Sequence, residues 1–254
     1  MQLAVRSTTL RRKLADNHKR VRDRIAQACQ RCNRSPDEVT LVAVTKTVEV
    51  NVIRTVIEMG LTDLGESRVQ ELVKRAGMIH EHLSRRRQIE RAGAPGNPRW
   101  HMVGHLQRNK VRALMPWVDT IHSVDSLRLV EAISDEATRA NKTVPIFLEV
   151  NVSGERSKFG LAVGAVPHLA EHIKMMPGIQ VVGLMTMAPF SDDPQQARPH
   201  FERLREVFED MRDDRVVGPE FRHLSMGMSN DFEVAIEAGA TIVRIGTALF
   251  EGVG

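Results

Sequence analysis

The sequence predicts an α/β protein, a (β/α)8 TIM barrel in which eight parallel strands alternate with helices. Eight short apolar runs recur along the 254 residues, and most are followed by a stretch with helical periodicity. Strands alternating with helices of about 10–15 residues indicate βαβ units and a parallel sheet. Eight such units in about 250 residues match the size and strand count of this barrel. A doubly wound open sheet is the alternative, but its GxGxxG signature after the first strand is missing.

An extra helix is predicted before the barrel. Residues 7–33 are charged and place apolar side chains at helical spacing, until SPDE at 35–38 interrupts the pattern. Cys29 and Cys32 lie in this helix as CQRC. A redox pair is typical after a strand, and a zinc site needs about four ligands. We therefore interpret the cysteines as two small residues on one helix face.

The apolar runs and the stretches between them set the order of elements. The candidate strands are 40–44, 61–65, 99–104, 119–124, 144–152, 179–187, 221–225 and 241–246. Amphipathic patterns predict helices over Val50–Glu58, Ser126–Ala140, Val163–Met175 and Gln195–Met211. Residues 77–99 break the rhythm, and we predict a helix extension followed by a surface loop at AGAPGNP. No linker divides the chain, so residues 1–254 are predicted to form a single domain.

Composition limits the classes of partner. A hydrophobic content of 42% and a charged content of 27% are typical of an ordinary globular protein. The formal charge of +4 permits an anionic ligand, whereas 4% aromatic residues offer no stacking surface for nucleic acid. No window approaches the roughly 18 apolar residues of a membrane helix, and no signal peptide is visible. We expect a cytoplasmic protein with neither nucleic-acid nor membrane partners.

Polar residues follow the predicted strands, where a barrel of this type builds its active site. Two segments stand out there, SMGMSND at 225–231 after strand seven and RIGT at 244–247 in strand eight. Barrels frequently bind phosphate with the loops after these two strands, and glycine, serine and threonine suit that task. Two turns with ordinary helix N-caps are the alternative, because serine and asparagine are favoured caps.

Lys46 follows the first strand, LVAV, directly after Thr45. Burial at a barrel mouth lowers the pKa of a lysine and frees its amine as a nucleophile, so Lys46 is a candidate Schiff-base former. A lysine that faces solvent, or one that pairs with Glu66, is the alternative. Together with a phosphate site across the barrel, Lys46 indicates a ligand with an aldehyde and a phosphate. Pyridoxal 5′-phosphate (PLP) is such a molecule.

Motifs along most of the chain resemble those of the YggS/PROSC family of pyridoxal phosphate homeostasis proteins. They are LVAVTK, DLGESRVQE, WHMVGHLQRNK, IHSVD, EVNVSGERSKFGL, GLMTMAP and SMGMSNDFEVAIEAGATIVRIGTALF. The resemblance implies a barrel like the N-terminal domain of alanine racemase. It also implies that Lys46 forms an aldimine with PLP and that Arg244 faces the pyridine nitrogen. The phosphate is expected on Ser225, Gly227, Ser229, Gly246 and Thr247.

Further residues carry weaker expectations. By resemblance, Asn151 and Met185 line the pocket, and His101, Gly104 and Asn109 lie at its rim. The family commonly has serine where this chain has Thr45. It commonly has asparagine where this chain has Ser67, so the resemblance implies no ligand-binding role for Ser67.

A carrier is favoured over an enzyme. An arginine beside the pyridine nitrogen stays charged and disfavours a protonated ring, which makes PLP a poorer electron sink. Racemisation needs two bases on opposite faces, and the chain contains no tyrosine to supply the second. We therefore expect PLP storage, buffering or delivery without robust catalysis, with apo PLP-dependent enzymes as possible recipients and a monomeric chain. The alternatives are a single-domain PLP-dependent racemase or lyase, and a barrel for another phosphorylated metabolite.

Overall fold

A computed structural model describes residues 2–89, 96–155 and 158–253. The strands are β1 (Thr40–Val44), β2 (Asp63–Glu66), β3 (Arg99–Met102), β4 (Thr120–Val124), β5 (Val144–Asn151), β6 (Leu161–Ala162), β7 (Ile179–Met185), β8 (His223–Ser225) and β9 (Ile242–Ile245). The helices are α1 (Gln2–Arg31), α2 (Val50–Glu58), α3 (Val69–Ile89), α4 (Val111–Leu114), α5 (Leu127–Arg139), α6 (Val166–Ile173), α7 (Arg198–Asp213) and α8 (Phe232–Glu237). None of the helices in the described ranges has an apolar stretch that could cross a bilayer.

The strands close into the predicted barrel. Their order is β4-β3-β2-β1-β9-β8-β7-β5, and β4 also pairs with β5, so the sheet has no free edge among these eight strands. All of these pairings are parallel. The two-residue β6 adds a short parallel pairing to β5. The carboxyl ends of the eight strands therefore meet at one end of the barrel, which we call the mouth.

Most predicted elements are confirmed, with shifts at their ends. β1 and α2 have the predicted bounds, whereas β2 begins two residues later than expected. Helix α6 is shorter than predicted because a 3-10 turn over Val163–Ala165 precedes it. Helix α3 runs to Ile89, which confirms the helix extension, and residues 90–95 of the predicted loop lie outside the described residues.

The barrel interior differs from the outer core. Most buried apolar side chains belong to one large core cluster. A separate small cluster of strand residues consists of Val42, Phe147, Val182, Met185 and Ile242. Polar side chains on the strands are buried as well: His101, His122, Glu149, Ser225 and Arg244. Since buried polar groups need partners, the contacts among these side chains decide how the interior is organised.

Helix α1 is fastened to the last elements of the barrel. Arg24 forms a bidentate ion pair with Glu233 of α8, at 2.7 and 2.8 Å. Cys29 of α1 is buried in the outer core, but Cys32 lies just beyond the helix end at Arg31, so the prediction that both cysteines share one helix face is wrong for Cys32. The extra predicted helix thus braces the side of the barrel where the chain ends.

Candidate functional site

A cavity of about 640 Å³ opens at the mouth of the barrel. Its wall is built from residues that follow β1, β2, β3, β7, β8 and β9. This volume lies within the range of about 300–1,000 Å³ that is typical of small-molecule sites. The lining residues with polar or charged side chains suited to binding include Lys46, Ser229, Asp231, Arg244 and Thr247.

Lys46 stands at one side of the cavity, two residues beyond the end of β1. The expectation that Lys46 is buried is wrong, because the strand ends at the mouth and its lysine is exposed there. Glu66 does not pair with Lys46 in this structure. Its ion pair is with Arg75, at 2.5 Å. Lys46 therefore lines the cavity as an exposed side chain without an ion pair to Glu66.

The backbone under Lys46 is held by a buried polar cluster. Thr45 Oγ1 donates to Glu66 Oε1 at 2.5 Å, and Arg75 Nη1 donates both to that oxygen and to the Thr45 carbonyl. Burial raises the pKa of Glu66, although the hydrogen bonds from Thr45 and Arg75 act in the opposite direction. These contacts tie the ends of β1 and β2 together and fix the point from which Lys46 projects.

Two turns line the cavity, one after β8 and one after β9, and β9 pairs directly with β1. Ser229 Oγ accepts a hydrogen bond from Ala248 N at 3.2 Å, which joins the two turns. Within the described part of the chain, the backbone N–H groups of Ser229, Asn230 and Thr247 donate to no acceptor. All three residues line the cavity. Unpaired N–H groups of residues that line one cavity are candidate donors to an anion.

Gly227 shapes the first of these turns. Its φ of +92° lies in the left-handed region, and a Cβ there would stand 2.6 Å from the Ala235 side chain. The Gly227 carbonyl accepts a hydrogen bond from Arg244 N at 3.0 Å. Only glycine combines this conformation with this close approach, so Gly227 shapes the turn through its backbone.

Arg244 projects from β9 and lines the cavity while its residue surface is only 4% exposed. Nη1 donates to Ser225 Oγ at 2.6 Å, and Nη2 donates to the Thr186 carbonyl at 2.9 Å. Burial lowers the pKa of Arg244 to about 10, although Glu149 and Asp231 act to raise it. The guanidinium therefore stays charged near neutral pH and is held from below by two acceptors.

Two carboxyl groups share the surroundings of Arg244. Burial and the neighbouring Asp125 raise the pKa of Glu149 to about 7, although Arg244 lowers it. Burial also raises the pKa of Asp231, whose Oδ1 accepts from Met228 N at 2.6 Å. The charge of this region therefore changes near neutral pH, mainly through Glu149.

The nine residues predicted for the site divide into two groups. Five line the cavity: Lys46, Ser229, Arg244, Gly246 and Thr247. Four do not. Asn151 is hydrogen-bonded to Ser153, Gly154, Glu155 and Lys158 of its own loop. Met185 belongs to the small apolar cluster, Ser225 is fully buried beside Arg244, and Gly227 shapes its turn. The roles of all nine toward a ligand remain predictions.

The rim residues also divide. Gly104 lines the cavity, and a Cβ on it would stand 2.3 Å from the Ser67 carbonyl. His101 is not at the rim as expected, because it is buried in β3 and hydrogen-bonded to His122. Asn109 is exposed in a 3-10 turn and does not line the cavity. Ser67, to which no ligand role was carried, does line it.

Sequence reasoning missed three residues around Arg244. They are His122, Glu149 and Asp231. His122 and Glu149 lie within apolar runs that predict strands, and a polar residue in such a run is a candidate for the barrel interior. Their pairing with distant residues had no signal in the sequence. No group of three or more metal-ligating side chains is found among the described residues.

Comparison with known proteins shows the family to which this chain belongs. The family model described as "Alanine racemase, N-terminal domain" matches residues 17–252. A pyridoxal phosphate homeostasis protein from Aquifex aeolicus is 41% identical over 232 residues, which cover 91% of this chain and 94% of that protein. This chain belongs to the pyridoxal phosphate homeostasis protein family. Another member, from Escherichia coli strain K12, is 35% identical over 238 residues, covering 93% of this chain and 95% of that protein.

Solved structures agree with this family. A protein from Bifidobacterium adolescentis has a TM-score of 0.86 at 37% identity, with 95% of this chain and 96% of that chain covered. PipY from Synechococcus elongatus, solved with PLP bound, has a TM-score of 0.74 at 28% identity, covering 89% of this chain and 99% of that chain. Alanine racemase from Corynebacterium glutamicum has a TM-score of 0.66 at 14% identity, covering 96% of this chain and 64% of that chain, and shows the fold alone.

Proposed function

We propose that this chain binds PLP in the mouth cavity, covalently through Lys46, and stores, buffers or delivers it inside the cell without robust catalysis. The observation that carries the proposal is that one cavity is lined both by the exposed Lys46 and by residues whose backbone N–H groups are unpaired. The relatives named pyridoxal phosphate homeostasis protein and the PLP bound to PipY support it.

The turns after β8 and β9 fit the phosphate of PLP. The N–H groups of Ser229, Asn230 and Thr247 have no acceptor in the described part of the chain, so an anion would satisfy donors that are otherwise unpaired. The Thr247 side chain is exposed beside them and can add a hydroxyl. Unpaired backbone N–H donors favour an anionic phosphate over a neutral group.

Lys46 fits the aldehyde of PLP. Its amine would attack the aldehyde carbon, form a carbon–nitrogen bond and release the aldehyde oxygen as water. The Thr45–Glu66–Arg75 cluster holds the backbone from which Lys46 projects, so the amine has a fixed origin while its side chain remains free to reach the ligand. PLP, once bound, supplies an electron-withdrawing ring for chemistry at an attached amine.

Arg244 favours binding over carbanion chemistry. Its guanidinium is charged, donates hydrogen bonds and cannot give up a proton near neutral pH. It can hold the ring nitrogen of PLP in its unprotonated form, which weakens the ring as an electron sink. The cavity-lining residues in the described ranges include no histidine or cysteine that could act as the second base of a racemase. A carrier therefore fits these residues better than an amino acid racemase.

The carrier proposal is tested with the holoprotein and matched variants. The wild type, Lys46→Ala and the surface control Lys174→Ala are loaded with PLP and incubated with L-amino acids, and D-isomers are measured by chiral chromatography. We expect no D-isomer above the Lys46→Ala background in any sample. Clear turnover in the wild type and Lys174→Ala that is lost in Lys46→Ala would establish the racemase alternative instead.

Delivery is tested separately from binding. The holoprotein is mixed with the apo form of a PLP-dependent enzyme, and recovery of that enzyme's activity is compared with recovery from the same concentration of free PLP. We expect activity to return as PLP leaves Lys46. A holoprotein that never releases PLP to any apoenzyme would restrict the function to storage. The monomeric state stays a prediction that light scattering can check.

A further inference from the structure

A continuous chain of side-chain hydrogen bonds crosses the barrel interior beneath Arg244. Arg244 Nη1 donates to Ser225 Oγ at 2.6 Å, and Ser225 Oγ lies 2.8 Å from His122 Nδ1. His122 Nε2 lies 2.9 Å from His101 Nδ1, and His101 Nε2 lies 3.0 Å from Asp63 Oδ1. The chain links β9, β8, β4, β3 and β2. The binding role argued under the proposed function uses only Arg244, the first member of this hydrogen-bond chain.

The donors in this chain all point the same way. A guanidinium can only donate, so Ser225 Oγ accepts from Arg244. The Ser225 hydroxyl hydrogen then needs an acceptor, and among the described residues His122 Nδ1 is the acceptor within reach. His122 must therefore carry its hydrogen on Nε2 and donate to His101 Nδ1. His101 in turn donates from Nε2 to the Asp63 carboxylate.

The pKa shifts of His122 and Asp63 agree with hydrogen donation in the direction from Arg244 to Asp63. His122 is fully buried, and burial together with His101, Arg244 and His223 holds the pKa of His122 well below its usual value, so the ring is neutral. On its remaining side, His122 stacks on Phe147 with ring centroids 4.4 Å apart. Burial would raise the pKa of Asp63, but hydrogen bonds from His101 and Arg99 hold that pKa below its usual value. The hydrogen-bond chain thus runs from the Arg244 cation, through the neutral ring of His122, to the Asp63 carboxylate.

The two ends of the chain lie at opposite ends of the barrel. Arg244 lines the mouth cavity. Asp63 is the first residue of β2 and, with Arg99, lines a second cavity of about 250 Å³ at the amino ends of the strands. Each bond in a chain of aligned donors polarises the next, so the Asp63 carboxylate strengthens the acceptor that Ser225 offers to Arg244.

We propose that His122 and His101 are positioning residues that, with Asp63 as the terminal acceptor, fix the direction of the Ser225 hydroxyl and thereby the orientation of the Arg244 guanidinium. The Thr186 carbonyl holds the second arm of the guanidinium, so the hydroxyl determines whether the first arm stays in place. The consequence for PLP rests on the proposed function, because it requires the ring nitrogen to meet Arg244. The hydrogen-bond chain itself does not require PLP.

The first test uses the apoprotein and does not depend on cofactor binding. Histidine is labelled isotopically, and the ring nitrogens of His101 and His122 are assigned by NMR with one variant for each residue, His101→Asn and His122→Asn. We expect the His122 ring to be neutral at pH 7 and both rings to carry a hydrogen on Nε2. A His122 ring that carries its hydrogen on Nδ1, or that is protonated at pH 7, would overturn the chain.

The second test measures PLP dissociation from the holoprotein. His122→Phe keeps a ring that can stack on Phe147 but removes the acceptor of the Ser225 hydroxyl. His122→Asn can place its amide oxygen where Nδ1 was and so keep that acceptor. We expect His122→Phe to accelerate PLP dissociation about three- to tenfold, as for loss of one buried hydrogen bond, and His122→Asn to stay within about twofold of wild type.

A double-mutant cycle separates positioning from general loss of packing. In a Ser225→Ala background the hydroxyl is absent, so His122→Phe should no longer change the dissociation rate. If His122→Phe has the same effect with and without Ser225, the histidine acts through packing and the proposal is wrong. If the wild type fails to bind PLP at all, the proposed function fails, while the apoprotein NMR still decides the hydrogen-bond chain.

Discussion

Thr45 Oγ1 lies 2.5 Å from Glu66 Oε1, which joins the ends of the neighbouring strands β1 and β2 directly beneath Lys46. Arg75 completes this contact and also approaches Glu71, at 3.4 Å. Glu66 is buried, whereas the side chain of Glu71 is 41% exposed. The same arginine therefore offers an internal comparison between a buried and an exposed ion pair.

Glu66→Ala should destabilise the protein far more than Glu71→Ala. Removing Glu66 leaves the Arg75 cation buried without its main partner, which costs about 3–5 kcal/mol, whereas an exposed pair is worth about 0–1 kcal/mol. Urea unfolding of the two variants measures both free energies. Equal losses would mean that the buried cluster does not hold the strand ends.

Glu149→Gln should make stability less sensitive to pH. Burial raises the folded-state pKa of Glu149 to about 7, well above the ordinary value of a glutamate side chain. A raised carboxyl pKa gives stability that is fully present below the unfolded value and is lost as the pH rises through 7. The advantage of Glu149→Gln over wild type should therefore be greater at pH 8 than at pH 5, by about 2 kcal/mol. Urea unfolding at both pH values checks this, and a constant difference between the two proteins would contradict it.

Thr247→Asp should increase the rate of PLP dissociation more than Arg244→Ala does. A carboxylate at position 247 opposes the phosphate where several N–H groups converge, whereas the ring nitrogen accepts one hydrogen bond from Arg244. Thr247→Asn has the same shape without the charge and serves as the control. Dissociation rates followed by absorbance rank the three variants. A larger effect from Arg244→Ala would count against the phosphate assignment.

Asn17→Ala should weaken the turn after β9 from outside the cavity. The buried Asn17 Nδ2 donates to the carbonyls of Leu249 and Glu251, at 3.1 and 3.0 Å. Their loss leaves acceptors unpaired and should cost about 1–3 kcal/mol of stability. Arg20→Ala, which removes a part-buried contact to Asn17 and an exposed ion pair with Glu251, should cost less than about 1 kcal/mol. Thermal unfolding of both variants provides the comparison, and a larger loss for Arg20→Ala would refute this role of Asn17.

The sequence predicted what depends on local order and failed where distant side chains meet. The alternation of apolar runs with helical stretches predicted the barrel. The positions of residues at the predicted strand ends correctly identified five that line the cavity: Lys46, Ser229, Arg244, Gly246 and Thr247. The hydrogen bond between His122 and Ser225 joins residues 103 positions apart, and no periodicity reveals which side chains face each other across a closed sheet. Asn151 followed a predicted strand, but its amide satisfies the backbone of its own loop instead of lining the cavity.

The most direct test of the binding proposal is chemical labelling at Lys46. The protein is saturated with PLP and reduced with borohydride, which makes the carbon–nitrogen link permanent, and the digest is read by mass spectrometry. We predict one modified peptide containing Lys46, loss of the yellow colour on reduction, and no stable label in Lys46→Ala. A wild-type protein in which Lys46 is unmodified while PLP is bound elsewhere, or not bound at all, would contradict the proposed function.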